Sequence, residues 1–279
     1  AHTSTKTLVC IHPVGGQIHH YRHLSDVVGA TRNVYGIRSR AILDHAREYV
    51  TVNEMATAYA DIIRSLNAKH LVLLGYSSGG ILAMAVANMI EQLGGTVNCV
   101  CLLDSYWLED VQVQIERESL HAVLQTLRET FQHQIHPFKN AVDEILGRTE
   151  FLQDDLLLLS DEERFEHVSR LLAEFNLPHQ VLEATLRNQS ALYRRHYQML
   201  KGFKPQKVNA RMIIGWAGET LPGVSALEHS NWADYARRGA TVRTFNANHY
   251  SIVQPPAVQH VADALLPALE GNEHNGEAQ

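Results

Sequence analysis

Gly75-Tyr76-Ser77-Ser78-Gly79 sets a serine between two glycines in the pattern GxSxG, directly after an apolar run and directly before a stretch rich in small residues. Such a pattern belongs to a sharp strand-to-helix turn, where glycines let the two backbones approach without Cβ clashes and a serine oxygen stands open for attack on an acyl carbon. Ser77 is the candidate nucleophile. Reading Ser78 as the central serine would need glycines at positions 76 and 80, and position 76 is Tyr.

A serine hydroxyl attacks poorly until a base takes its proton, so a histidine oriented by a carboxylate is expected further along the chain. The sequence holds 17 histidines. The base belongs on the loop after the last strand, and Asn246-Ala247-Asn248-His249-Tyr250 follows the strand-like run Thr241 to Phe245. His249 is therefore the candidate base. His260 falls in the closing helix and His229 precedes the strand, and both are expected at the surface. Two strands run into a carboxylate, Val97 to Leu103 into Asp104, and Arg211 to Ile214 through a short loop into Glu219. The residues alone leave both acids open, although Asp104 abuts its strand and is the better fixed. An oxyanion needs backbone donors, which the amides of Val14, in His12-Pro13-Val14-Gly15-Gly16, and Ser78, next to the serine, are placed to supply.

Other chemistries fit less well. His19, His20 and His23 stand at helix-like spacing, but no HExxH and no nearby carboxylate pair accompany them, so no metal is expected. The glycine pairs make neither GxGxxG nor GxxxxGK[ST], and no nucleotide cofactor is expected.

The elements that would hold these residues alternate. Strands are expected at Leu8 to Ile11, Val34 to Ile37, His70 to Leu74, Val97 to Leu103, Arg211 to Ile214 and Thr241 to Phe245. Thr51 and Glu54 form a capping box ahead of Met55, Tyr59, Ile62, Ile63 and Leu66 at helical spacing. A second helix runs from Ile81 to about Gln92. The last spans Ala257 to Leu266, with Pro267 expected to help end it. Strand-helix-strand order predicts a mostly parallel sheet with helices on its faces. The alternation stops between Leu108 and Phe203, where the periodicity is helical, including a capping box of Ser160 and Glu163, and Leu182, Leu186, Tyr193, Tyr197 and Leu200 at helical spacing. The expected division is a core of residues 1–107 and 204–270, a helical insertion at 108–203, and a frayed polar tail at 271–279.

With 279 residues, 45% hydrophobic and 19% charged, the chain is a folded protein and not a disordered one. A net charge of -6 without any basic block leaves nucleic acid out of the expected partners. No apolar run approaches the roughly 20 residues that cross a bilayer, and the N-terminus lacks a signal peptide's apolar core, so a soluble, cytoplasmic protein is expected. Cys10, Cys99 and Cys101 sit in strand-like stretches and read as buried thiols. The absence of an initial Met suggests the cut edge of a longer polypeptide, and a monomer is the expected state of the isolated domain.

With HPVGG, GYSSGG, an aspartate ending LLD, and NANHYS in that order, the chain resembles the thioesterase family of α/β-hydrolases. The likeness is strongest to the release domains at the end of non-ribosomal peptide synthetases and related polyketide synthases, and it covers essentially the whole length. General esterases of this fold take the acid from a later strand, where Glu219 lies; the resemblance therefore favours Asp104. It implies that a carrier protein, upstream in the same polypeptide, delivers an acyl or peptidyl chain on a phosphopantetheine arm, that Ser77 takes it as an ester, and that water or an internal nucleophile releases it. It further implies that the domain binds no cofactor of its own, that 108–203 is a lid, and that Tyr76, Tyr106 and Trp107 line the substrate pocket. The length of that lid suggests release by macrocyclisation, oligomerising or not, because an enclosed chain shielded from water favours an internal nucleophile. A stand-alone editing thioesterase that hydrolyses misprimed acyl groups from carriers is the alternative, with a general carboxylesterase behind it.

Overall fold

The computed structural model describes residues 5–42, 49–107, 163, 166, 170, 179–219 and 230–271. The chain divides into two compact units, Ala1–Leu108 with Met199–Gln279, and Glu109–Gln198. The first unit holds a six-stranded sheet, β1 (Lys6–Ile11), β2 (Asn33–Ile37), β3 (His70–Tyr76), β4 (Cys99–Leu103), β5 (Arg211–Ala217) and β6 (Ala240–Phe245), in the order β2-β1-β3-β4-β5-β6. Every pairing is parallel. Parallel neighbours bring all C-terminal strand ends to one edge, so the residues after β1, β3, β4 and β6 meet there, with β3 central.

Burial on both faces explains the apolar composition of the central strands. From β3, Leu71 and Leu73 face a layer containing the helices α2 (Val52–Ser65) and α3 (Gly79–Gln92). Val72 and Leu74 face the opposite layer, built on α1 (Arg22–Val28) and the closing helix α5 (Ala257–Glu270). The edge strands β2 and β6 are more exposed and correspondingly more polar. Cys10, Cys99 and Cys101 are buried free thiols, as their setting predicts.

The α2 cap forms as expected, with Thr51 Oγ1 accepting from the Glu54 amide at 3.1 Å. Glu54 reaches back to the Val50 amide at 3.0 Å and so ties the chain one residue earlier than the usual reciprocal box. The α2 stripe differs at one position: Met55, Tyr59 and Ile63 are buried, whereas Ile62 is 52% exposed because it lies around the helix from that seam. Pro267 does not end α5, which continues to Glu270 and closes on Gly271 in the left-handed region. Proline there is exposed, so the carbonyl it deprives of a donor faces water, and continuing the helix buries Leu269.

The helix α4 (His179–Leu200) carries Tyr193, Tyr197 and Leu200, all buried. The expected capping box at Ser160 and the tail from residue 272 lie outside the described residues, as do most residues of the expected insertion. No helix among the described residues is long and apolar enough to cross a membrane.

Candidate active site

Ser77 stands between β3 and α3 with φ +56°, the left-handed region that costs an L-residue about 1–2 kcal/mol. Its amide donates to Leu103 O at 2.8 Å, extending the β3–β4 ladder by one residue before the turn. A Cβ at Gly75 would collide with the Gly79 carbonyl, and one at Gly79 would lie 2.6 Å from Ile11 O. The glycine spacing is therefore set by contact of helix, strand and neighbouring strand end. The structure also separates the adjacent serines, since Ser77 is half-buried whereas Ser78 is 5% exposed. The Ser78 amide lies at the N-cap of α3, where the first N–H groups have no carbonyl within the helix to bond.

Asp104 follows β4 directly and has φ +45°. The described residues hold three non-glycine positive-φ positions, and two of them are Ser77 and Asp104, both at C-terminal strand ends. Backbone strain of this kind concentrates where a side chain must be aimed against local preference. The Asp104 amide donates to Gly215 O at 2.7 Å. Its carboxylate, nearly fully buried, accepts from the Ala217 amide at 2.9 Å and Tyr106 Oη at 3.1 Å on Oδ1, and from His249 Nδ1 at 2.7 Å on Oδ2.

His249 sits on the loop after β6. Asn248 Oδ1 accepts from the Tyr250 and Ser251 amides, each at 3.0 Å, while Ser251 Oγ accepts from the Asn248 amide at 2.9 Å. These local bonds pin the loop around the imidazole. Because a carboxylate can only accept, the 2.7 Å contact places the proton of a neutral imidazole on Nδ1 and leaves Nε2 with its lone pair. The structure thus brings His249 against Asp104. Glu219 has an exposed side chain and turns its amide to Ala247 O at 2.9 Å.

His12 anchors the HPVGG loop. Nδ1 bonds Pro13 O at 2.7 Å and must donate, so Nε2 accepts from Tyr59 Oη, also at 2.7 Å. Gly16 closes a turn onto Pro13 O and itself accepts the Ser39 amide, which braces the segment carrying Val14 at the end of β1. Val14 is buried, at 8% exposure.

Tyr76 is 4% exposed, because alternation along β3 turns it into the layer that holds α1 and α5. Its hydroxyl donates to His249 O at 2.7 Å. Trp107 is stacked on Trp232 at 4.1 Å between ring centres, and its amide donates to Ser230 Oγ at 2.7 Å. Tyr106 lies 5.0 Å from the Trp216 ring. Sequence reading missed Asn248, Ser251, Tyr59 and Tyr21; for the first two the signal was present, since Asn-x-x-Ser is an Asx-turn pattern. His260 is exposed as expected, and His229 lies outside the described residues. The His19 and His20 rings lie 4.0 Å apart, tilted by 50°, and no group of three or more potential metal ligands is assembled among the described residues.

A family model described as thioesterase domain matches residues 6–269. The chain is 31% identical over 121 residues to a dimodular nonribosomal peptide synthase of Bacillus subtilis (strain 168), a match covering 42% of this chain and 5% of that protein. It therefore spans a small part of the curated relatives it matches. Among solved structures, holo-AB3403, a four-domain nonribosomal peptide synthetase bound to AMP and glycine, superposes with a TM-score of 0.72 at 20% identity, over 94% of this chain and 19% of that one. SrfTE, the thioesterase domain for cyclization of the lipopeptide antibiotic surfactin, gives 0.58 at 17% identity, over 98% and 93%.

Proposed function

This chain belongs to the thioesterase-domain family and has the α/β-hydrolase fold, and from that premise we propose that it is a serine thioesterase which releases an acyl or peptidyl chain from a carrier protein's phosphopantetheine. The observation that carries the reading is the 2.7 Å bond from His249 Nδ1 to Asp104, at the strand edge where Ser77 also stands. His249 Nε2 takes the Ser77 proton as Oγ attacks the thioester carbonyl. The Val14 and Ser78 amides receive the developing oxyanion, and collapse forms the Ser77 ester and expels the pantetheine thiol, which takes the proton back from the imidazolium. A second nucleophile, deprotonated by the same imidazole, then attacks the ester and restores Ser77.

An internal amine or hydroxyl of the bound chain is the proposed second nucleophile, giving a macrocycle in a single or an oligomerising closure. The length of residues 108–203, proposed as the lid that excludes water, favours this over hydrolysis. Tyr106 and Trp107 are proposed to line the pocket where the chain leaves Asp104. The partner is a carrier protein upstream in the same polypeptide.

The test is intact-protein mass spectrometry with product analysis on a panel of acyl and peptidyl pantetheine thioesters. An acyl adduct on the native protein that is absent from Ser77→Ala supports the reading, and product masses separate ring closure from hydrolysis. Release of short acyl groups alone as free acids would point to an editing thioesterase. Cleavage of simple oxygen esters with no thioester turnover would mark a general esterase.

A further inference from the structure

The side chain before the proposed nucleophile touches the proposed base twice. Tyr76 Oη donates to the backbone carbonyl of His249 at 2.7 Å, and the phenol ring lies 5.0 Å from the imidazole, tilted by 33°. The same residue is fixed from the other side. Its amide donates to Tyr21 Oη at 2.9 Å, and Tyr21 Oη donates in turn to Ile11 O at 2.6 Å, which fastens the end of β3 to the end of β1. His20 also packs on Tyr76, 5.7 Å between ring centres, with His19 4.0 Å from His20.

We propose that Tyr76 is a positioning residue for His249, holding the loop by its hydroxyl and the imidazole by its ring, so that Nε2 stays aimed at Ser77. The inference rests on the thioesterase reading for the role of His249, but the contact itself exists in the resting protein. Asp104 constrains the imidazole only at the Nδ1 edge and leaves rotation about that bond open. The Tyr76 ring packed beside the imidazole limits that freedom, while Tyr250 meets the imidazole edge-on at 5.4 Å. The electron-rich ring of the phenol, 5.0 Å from the imidazole, also favours the imidazolium that forms as Ser77 loses its proton. Because Tyr76 adjoins Ser77 in sequence, nucleophile and base are held to each other through one residue and cannot drift independently.

Among the described residues, titratable groups beside the imidazole are Asp104 after β4, Tyr76 at the end of β3, Tyr250 on its own loop, and His20 from the segment after β1, with His19 next to His20. Burial holds His20 neutral, with the charges of His19 and His249 acting in the same direction, so no second cation competes with the imidazolium.

The experiment compares native protein with Tyr76→Phe, which keeps the ring and removes the hydroxyl, and Tyr76→Leu, which removes both. Readouts are kcat and KM on an acyl pantetheine thioester across pH, together with the His249 Cε1–H resonance of the resting protein. The expected result is a kcat loss of about tenfold for Phe and about a hundredfold for Leu, with KM within twofold, since misaiming a base slows chemistry and not binding. The acid limb of the pH profile should move to lower pH in the Leu variant, whose imidazolium loses its aromatic neighbour. The native Cε1–H should show an upfield ring-current shift. Unchanged kcat and pH limb in both variants, or an unshifted native resonance, would overturn the proposal. If the variants fail to fold, the native resonance alone decides it. A native protein that turns over no thioester and forms no adduct, yet shows the shifted resonance, would instead sink the catalytic reading and leave the contact standing.

Discussion

His249 Nδ1 and Asp104 Oδ2 lie 2.7 Å apart although 145 positions separate them in the chain. The carboxylate reaches this contact with its other oxygen already held by Tyr106 and Ala217, so it presents one lone-pair face to the imidazole in a fixed direction. Replacing Asp104 by Asn should reverse the donor pattern and stabilise the wrong imidazole tautomer. The expected loss is about 10³–10⁴ in kcat with folding retained. Glu219→Gln, at an exposed side chain, should stay within twofold of native activity. Steady-state kinetics on one thioester check both, and equal losses would mean that the acid is shared.

Gly79→Ala tests the close approach at the elbow. The added Cβ would sit 2.6 Å from Ile11 O and 3.0 Å from His12 O, both backbone atoms that cannot swing aside. A loss of about 2–3 kcal/mol in urea unfolding is expected. Gly15→Ala, in a glycine pair of similar appearance, meets nothing within 4 Å and should cost less than about 1 kcal/mol.

Tyr59→Phe removes the hydrogen that His12 Nε2 accepts inside the core, 47 positions away. A buried acceptor that loses its donor costs about 1–3 kcal/mol, so the thermal midpoint should fall. A midpoint equal to that of the native protein would mean that the HPVGG loop is not held by this bond.

Acid should destabilise the fold through the histidines after β1. Burial pushes His19 down to about 4 from an ordinary 6.5, and His20 well below its ordinary value. Both are neutral in the folded protein at pH 7, while the unfolded chain takes up their protons as pH falls through 6.5. Between 6.5 and about 4 the unfolded state therefore binds more protons, and stability is lost as pH falls. Thermal midpoints measured from about pH 7.5 to about pH 4.5 should drop less steeply in His19→Gln than in the native protein. Parallel curves would show that other groups carry the acid sensitivity.

Much of the scaffold was legible because its signals are local. The β3 run and the glycines around Ser77 state a buried strand, a tight turn and a helix within about a dozen residues, and Thr51 with Glu54 states a helix start. Expectations failed where a neighbour distant in sequence, or water, was the deciding partner. Ile62 fits helical spacing as well as Ile63 does, yet its environment is solvent. Pro267 is a local stop signal, overridden because its face is exposed and the turn beyond it buries Leu269. For Tyr76 the sequence carries no signal of its partner, and only the approach of the β6 loop shows that its hydroxyl meets His249.

By itself, then, the sequence determined a parallel α/β sheet, the serine at its elbow, and a histidine on the loop after the last strand, because turn, period and cap are properties of adjacent residues. Tertiary structure alone decided which carboxylate meets that histidine. Asp104 and Glu219 both follow strands, and the difference between them is direction: Asp104, next to β4 with a left-handed φ, has its side chain buried against three donors, whereas Glu219, two residues past β5, has its side chain in solvent. Such a difference arises only when β4, β5 and β6 pack in register and bring segments far apart in the chain within hydrogen-bonding distance.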